Sequence, residues 1–311
     1  MQKQHFYSNG KLLISGEYLV LKGARALAIP LTFGQDLQIE TKQIKSNPLL
    51  YWKSYENDLL WFELTLSLPS FELLETSDRL IADKLIHIFK TAFKQNAAFI
   101  SEGHSYFVKS QMNFDRNWGL GSSSTLINNI ANWAIIDPYF LLKESFGGSG
   151  YDIACASAEN PIYFYLNQEK VEVETAGFNP IFSQNLYFVY LGKKQSSMES
   201  IKQFEMLDAN LESYISEISE ISVQMSRSKN LNDFQKLMRR HEEIISKVLN
   251  KKRIKKERFS DFTGEVKSLG GWGGDFVLVA TDKNYESVKS YFKAKGLEVV
   301  FKYEEVALGY Y

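Results

Sequence analysis

Three glycine-rich segments hold the residue types that chemistry on phosphate requires. The first is Gly119-Leu120-Gly121-Ser122-Ser123-Ser124-Thr125, set between an extended apolar run and a stretch of helical spacing. Glycines let a backbone approach a ligand closely and take up positive φ. A helix that starts there presents amides with no intrahelical acceptor and roughly half a positive charge. Together these make a site for anions, phosphates above all. The three serine hydroxyls add groups for phosphate oxygens or a magnesium ion. A serine-capped helix after a glycine turn is the plainer reading of the same residues. No Gly-Lys-Ser/Thr closes the segment, so it is not the Walker loop. It also lacks the third glycine and the acidic partner of the dinucleotide fingerprint.

The second segment is Ser149-Gly150-Tyr151-Asp152, and the third is Lys267-Ser268-Leu269-Gly270-Gly271-Trp272-Gly273-Gly274-Asp275. Taken singly, Asp152 reads as a helix N-cap and the third segment as a tight turn. The three in this order are far more specific than any one. A basic run, Lys251, Lys252, Arg253, Lys255, Lys256 and Arg258, reads either as a solvated helix end or as a local attractor for phosphate-bearing ligands. His87 and His241 fall on or beside apolar helical stripes, where packed histidines are expected. His5 and His104 have no evident partners. No cysteine–histidine cluster has zinc spacing.

The elements that must position these residues follow from periodicity. Lys11–Ile14, Tyr18–Leu21, Ala26–Leu31, Asp36–Thr41, Leu59–Leu68 and Ser105–Asn113 read as strands. Asp78–Ala97 places Leu80, Ile81, Leu85, Ile88, Phe89 and Phe93 at helical spacing, and a helix is expected after Gly121. Beyond Leu186 the pattern interleaves: strand Leu186–Leu191, helices Ser200–Arg227 and Leu231–Asn250, strand Phe276–Ala280, helix Tyr285–Lys295 and strand Leu297–Lys302. That order suggests a split βαβ layer, with a boundary between residues 165 and 185.

With these motifs in place, the sequence resembles the GHMP kinases, the family of galactokinase, homoserine kinase and mevalonate kinase. Asn9-Gly10-Lys11 followed by Gly16-Glu17-Tyr18 is similar to the family's first motif, Gly119–Thr125 to its phosphate loop, Ser149–Asp152 to the catalytic-aspartate segment, and Gly270–Gly274 to its third motif. The resemblance implies an α+β fold of two domains, a ribosomal S5 domain 2-like domain over 1–175 and a ferredoxin-like domain over 176–311. Gly16-Glu17-Tyr18, Gly148–Asp152 and Asp275 look most like the phosphomevalonate kinase branch. Asn9 stands for the usual proline, and Trp118 and Trp272 stand where smaller residues are usual. The acidic magnesium ligand of mevalonate kinases would fall near Leu141, with Glu144 the nearest acid.

By this resemblance Gly119, Leu120, Gly121, Ser122, Ser123 and Ser124 bind ATP. Ser123, with Glu144, holds Mg2+. Asp152 orients or deprotonates the acceptor and Lys11 stabilises the transferring charge. Glu17, Ser149, Gly150, Lys193, Ser197, Gly271 and Gly273 line the acceptor site. The acceptor is expected to be phosphomevalonate or mevalonate. A diphosphomevalonate decarboxylase-like enzyme and a degenerate nucleotide- or metabolite-binding sensor are the alternatives. Composition agrees with a small-molecule enzyme: 36 basic and 37 acidic residues leave a net charge of −1, which argues against a nucleic-acid partner. No run approaches the ~18 apolar residues of a membrane span. One cysteine, Cys155, excludes an intrachain disulfide, and residues 1–10 have no apolar signal core. The expectation is a cytoplasmic monomer or homodimer.

Overall fold

A computed structural model describes residues 2–44, 46–168, 170–193, 204 and 210–309. The chain is α+β and forms two compact units. One comprises Met1–Gly10, Phe33–Arg116 and Gly121–Ser157, the other Lys11–Thr32, Asn117–Leu120 and Ala158–Tyr311. This differs from the single cut expected after residue 175. The two longest strands, β1 (Gln2–Ser15) and β2 (Ala26–Gln43), pair with each other and each run from one unit into the other.

In the first unit, the C-terminal half of β2 pairs antiparallel with β6 (His104–Met112). Next to β6 comes β3 (Leu49–Glu56), parallel to it, then β4 (Leu59–Ser67) and β5 (Leu73–Thr76). Strand β4 alternates as its sequence predicts, burying Phe62, Leu64 and Leu66. Four helices complete the unit: α1 (Arg79–Gln95), α2 (Ser122–Ala134), α3 (Pro138–Ser145) and α4 (Tyr151–Ala156). Asp78 caps α1, its carboxylate accepting from the Ile81 amide at 3.1 Å, a bond worth about 1 kcal/mol. Helix α1 buries Leu85, Ile88 and Phe89 but leaves Leu80 77% exposed, outside the stripe expected for it. Phe89 meets Trp52 and Trp133 edge-on, at 5.7 and 6.0 Å between centroids, and anchors the core.

In the second unit, the N-terminal end of β2 pairs with β7 (Ile162–Asn167), which pairs with β8 (Lys170–Thr175). A separate antiparallel sheet has the order β10 (Glu265–Leu269), β11 (Phe276–Ala280), β9 (Leu186–Tyr190), β12 (Val300–Lys302). The unit's longer helices are α5 (Glu212–Arg227), α6 (Leu231–Val248), α7 (Ile254–Arg258) and α8 (Tyr285–Ala294); α6 and α7 pack on β10, α8 buries Val288 and Phe292 with the sheet, and α5 packs on α6 and on the turn over Leu19–Lys22. The order places the first strand between the third and fourth, the ferredoxin-like arrangement. Val189, Val277 and Val300 lie side by side in the register and bury a common face. Tyr18–Leu21, expected as a strand, is instead part of a 3-10 turn over Leu19–Lys22. Gly16 (φ 97°) and Gly23 (φ 91°) bend the chain at either side. The helix expected over Ser200–Arg227 begins only at Glu212: Asn210 and Leu211 lie outside it, and residues 200–203 and 205–209 lie outside the described residues. Among the described residues no helix is long and apolar enough to cross a membrane.

Candidate functional site

In the first unit, Gly121 opens α2 in the left-handed conformation, φ 100° and ψ 31°, and no side chain caps the helix from that position. The first-turn amides, Ser122 to Ser124, therefore point along the axis with no intrahelical acceptor. Polar side chains behind them hold the helix in place. The Ser124 and Thr125 hydroxyls donate back to the Gly121 carbonyl at 2.9 and 3.0 Å, and Thr125 also donates to Gln35 Oε1 at 2.6 Å. Asn129 donates to the Gln35 carbonyl at 2.8 Å. Ser124 is thus buried and its hydroxyl is committed to the loop, whereas Ser123 is exposed.

Helix α4 packs on α2 and carries Asp152 in its first turn. The N-cap is Gly150 (φ 95°), not the aspartate, so the simple capping role does not account for Asp152. Asp152 and Ser149 are half-buried, and Gly150 is buried. Leu141, where the resemblance sets an acidic magnesium ligand, is fully buried in the core. Glu144 is exposed on α3, its carbonyl bonded to His87 Nε2 at 2.8 Å. Among the described residues no group of three or more His, Cys, Asp or Glu side chains is arranged to hold a metal. Magnesium bound with a nucleotide needs only one or two protein carboxylates beside phosphates and water, and the exposed Ser123 and Glu144 side chains have the hard oxygens for that.

In the second unit, Lys11 is 9% exposed and gathers the glycine end of the loop. Its ammonium donates to the Gly119 carbonyl at 3.1 Å and its amide to the Leu120 carbonyl at 2.9 Å. Gly119 (φ 72°) lies so close to Asp275 that a Cβ there would sit 2.6 Å from the carboxylate carbon. A Cβ on Gly270 (φ 70°) would come 3.1 Å from the same carboxylate. Asp275, 7% exposed, is fixed by its own backbone: its amide donates to the Lys193 carbonyl and its carbonyl accepts from Leu191, both at 2.8 Å. Asp275 thus lies where the first glycine of the loop and the turn before β11 meet, and its backbone is bonded to the segment of Lys193, whose side chain is exposed. Trp118 packs against Tyr190, Phe276 and Phe301, which gives this departure from the family pattern a structural account. Gly271 is buried, and Gly273 (φ 79°) faces open space. Ser197 lies outside the described residues.

Glu17 differs from its expected role. It is 4% exposed, and its carboxylate is ion-paired to Lys267, which is also buried. Burial alone would raise the Glu17 carboxyl; Lys267 and His241 beside it hold it at about 2. His241 Nε2 is 3.0 Å from the Gly16 amide and 3.0 Å from Glu17 Oε2, and in the neutral ring it can serve one of them at a time. Burial and the Lys267 charge lower His241 to about 4, so the ring is neutral near pH 7. Glu242 is raised by burial to about 7, with Lys267 and the Ser268 amide acting against the rise. These groups lock the turn after β1 to α6 and β10, and Glu17 acts as a structural ion partner there. Glu17 and Lys267 are both in the expected motifs, yet the pairing spans 250 residues of sequence and only the fold discloses it.

The fold has counterparts among solved structures. Methanococcus jannaschii mevalonate kinase aligns over 99% of this chain and 98% of its own, at a TM-score of 0.71 and 18% identity. L. major mevalonate kinase in complex with R-mevalonate aligns over 98% and 95%, at 0.71 and 13%. Streptococcus pneumoniae phosphomevalonate kinase in complex with phosphomevalonate and AMPPNP aligns over 99% and 98%, at 0.65 and 14%. No protein-family profile matches the sequence, and no curated protein matches it. The chain has the fold of the GHMP kinases, along its whole length. Within that fold it is similar to mevalonate and phosphomevalonate kinases, at identities that establish the fold alone.

Proposed function

We propose that this protein is an ATP- and magnesium-dependent phosphotransferase that phosphorylates a small anionic metabolite, with phosphomevalonate or mevalonate as the favoured acceptor. The observation that carries the reading is the mouth of α2: left-handed Gly121 with no side-chain cap, and an exposed Ser123 beside it. Amides aimed from a helix start, held by Gln35 and Asn129, form a preorganised cradle for polyphosphate. The solved relatives bound to R-mevalonate, and to phosphomevalonate with AMPPNP, support the choice of ligands.

Phosphoryl transfer relies on positioning and on stabilising charge. The amides of Ser122, Ser123 and Ser124 would hold the nucleotide phosphates. Ser123 and Glu144 would hold magnesium, which neutralises phosphate charge when bound. Asp152 would accept the proton of the acceptor's hydroxyl or phosphate, or orient that group. Lys11 would bring positive charge to the glycine end of the loop. Ser149, Gly150, Gly271, Gly273 and Lys193 would face the acceptor. Glu17 has no direct part in this scheme.

The test is ADP release with magnesium across mevalonate, phosphomevalonate, homoserine and simple sugars, plus carbon dioxide release with diphosphomevalonate. ADP formed with one of the first two acceptors is expected. Nucleotide binding with no ADP from any acceptor would overturn the reading in favour of a sensor. Carbon dioxide release would replace it with the decarboxylase.

A further inference from the structure

The basic run between residues 251 and 258 separates into two sets. Arg253 is 8% exposed and bonds Glu265 at 2.6 Å, with Glu243 at 3.6 Å. Lys255 faces Glu265 at 3.8 Å. These two tie α7 to β10. Lys251, Lys252 and Arg258 are exposed and form no ion pair among the described residues. They line a pocket of about 310 Å³ together with Ile254, Glu257, Trp272 and Gly273. The indole of Trp272 is held as one wall, its Nε1 donating to the Lys252 carbonyl at 3.2 Å and its amide to the Tyr18 hydroxyl at 2.8 Å.

We propose that this pocket is a second anion site, separate from the α2 mouth, that takes a small phosphate ester with a short hydrocarbon body. Three cations against the single Glu257 carboxylate select for a dianionic head. Arg258 and the two lysines supply donors to several phosphate oxygens at once. The partly exposed Trp272 face, over the core residue Ile254, accepts the apolar part, and the volume is at the small end of ligand pockets. A nucleic acid would need a longer basic track, whereas these charges are confined to one pocket on a chain of net charge −1. The binding claim does not rest on the kinase reading. The ester is either the acceptor's own phosphate group or a separate effector.

Calorimetric titration of the full chain with butyl phosphate and with inorganic phosphate, at fixed ionic strength, tests the site. Indole fluorescence, assigned with Trp272→Phe, follows the same titration. Saturable binding to the wild type is expected, tighter for butyl phosphate. It should weaken about ten-fold or more in Lys252→Glu/Arg258→Glu, which loses two charge-assisted contacts, and hold in Lys256→Glu, a neighbouring exposed cation outside the pocket lining. Equal weakening in Lys256→Glu, or no saturable binding at all, overturns the proposal. Thermal melts of each variant separate lost binding from lost folding. A raised KM for a phosphorylated acceptor in the double variant assigns the site to the acceptor, and an unchanged KM with binding lost assigns it to an effector. Both support the site. Butyl phosphate binding without ADP release from any acceptor would sink the kinase reading and leave this one standing.

Discussion

Replacing Gly119 with alanine drives a methyl group into the Asp275 carboxylate. The backbone at Gly119 has φ 72°, where an L-residue costs about 1–2 kcal/mol. The added Cβ would lie 2.6 Å from both Cγ and Oδ1 of Asp275, closer than any relaxed contact. Asp275 has little room to retreat, because its amide and carbonyl are bonded to Lys193 and Leu191 and it is 7% exposed. Overpacking of this kind costs about 1–3 kcal/mol, so Gly119→Ala should lose about 2–5 kcal/mol in all.

The two contributions separate in different backgrounds. Asp275→Gly removes the carboxylate and tolerates the positive φ of 49° at that position. In that background Gly119→Ala should cost only the backbone share, about 1–2 kcal/mol. Asp275→Asn keeps the obstructing atoms, and there the cost should match that in the wild type. Urea denaturation of the six proteins gives the coupling directly. An identical cost of Gly119→Ala in all three backgrounds would show that the carboxylate does not confine the loop.

Asp152→Asn should lower turnover by roughly 10²–10⁴-fold if the carboxylate acts as a general base, with nucleotide affinity by equilibrium titration retained; an unchanged kcat removes Asp152 from the mechanism. Lys267→Met strands the buried Glu17 carboxylate and should destabilise by about 3–5 kcal/mol, while Glu17→Gln/Lys267→Met should recover much of that in the same melts; a double variant no better than the single would refute the pairing. Glu242, raised to about 7, keeps its proton in the folded chain where the unfolded chain has released it, so its contribution to stability falls as pH rises from 4.5 through about 7. The stability of Glu242→Gln relative to wild type should therefore rise between about pH 5 and about pH 8; a difference independent of pH would contradict the raised value.

Much of the scaffold is legible in the sequence because it is periodic. Strand β4 alternates, α1 announces itself through Asp78 and a repeating stripe, and the β9-to-β12 region reads as an interleaved layer. Strands β7 and β8 do not stand out, since their burial does not alternate, while β3 does alternate but one of its three buried positions is the polar Ser54. The turn over Leu19–Lys22 has strand-like composition, and its conformation is set by glycines outside it. The glycine motifs are visible for a different reason: backbone positions of positive φ admit few residue types, so Gly119, Gly121, Gly150 and Gly270 mark their own geometry.

Charged residues carry no such mark, and their roles divide only in the fold. Glu17 belongs to a motif whose neighbours suggest ligand contact, yet it faces Lys267 and His241 and is closed from solvent. Arg253 and Lys252 are adjacent in one basic run, but the first is bound to Glu265 while the second opens on a pocket. A charge with a buried counterion is already neutralised and holds structure; a cation in a concave pocket with no such partner keeps its field for a ligand. That distinction takes Glu17 out of the candidate acceptor site and puts Lys251, Lys252 and Arg258 forward as a place where a phosphate can be held.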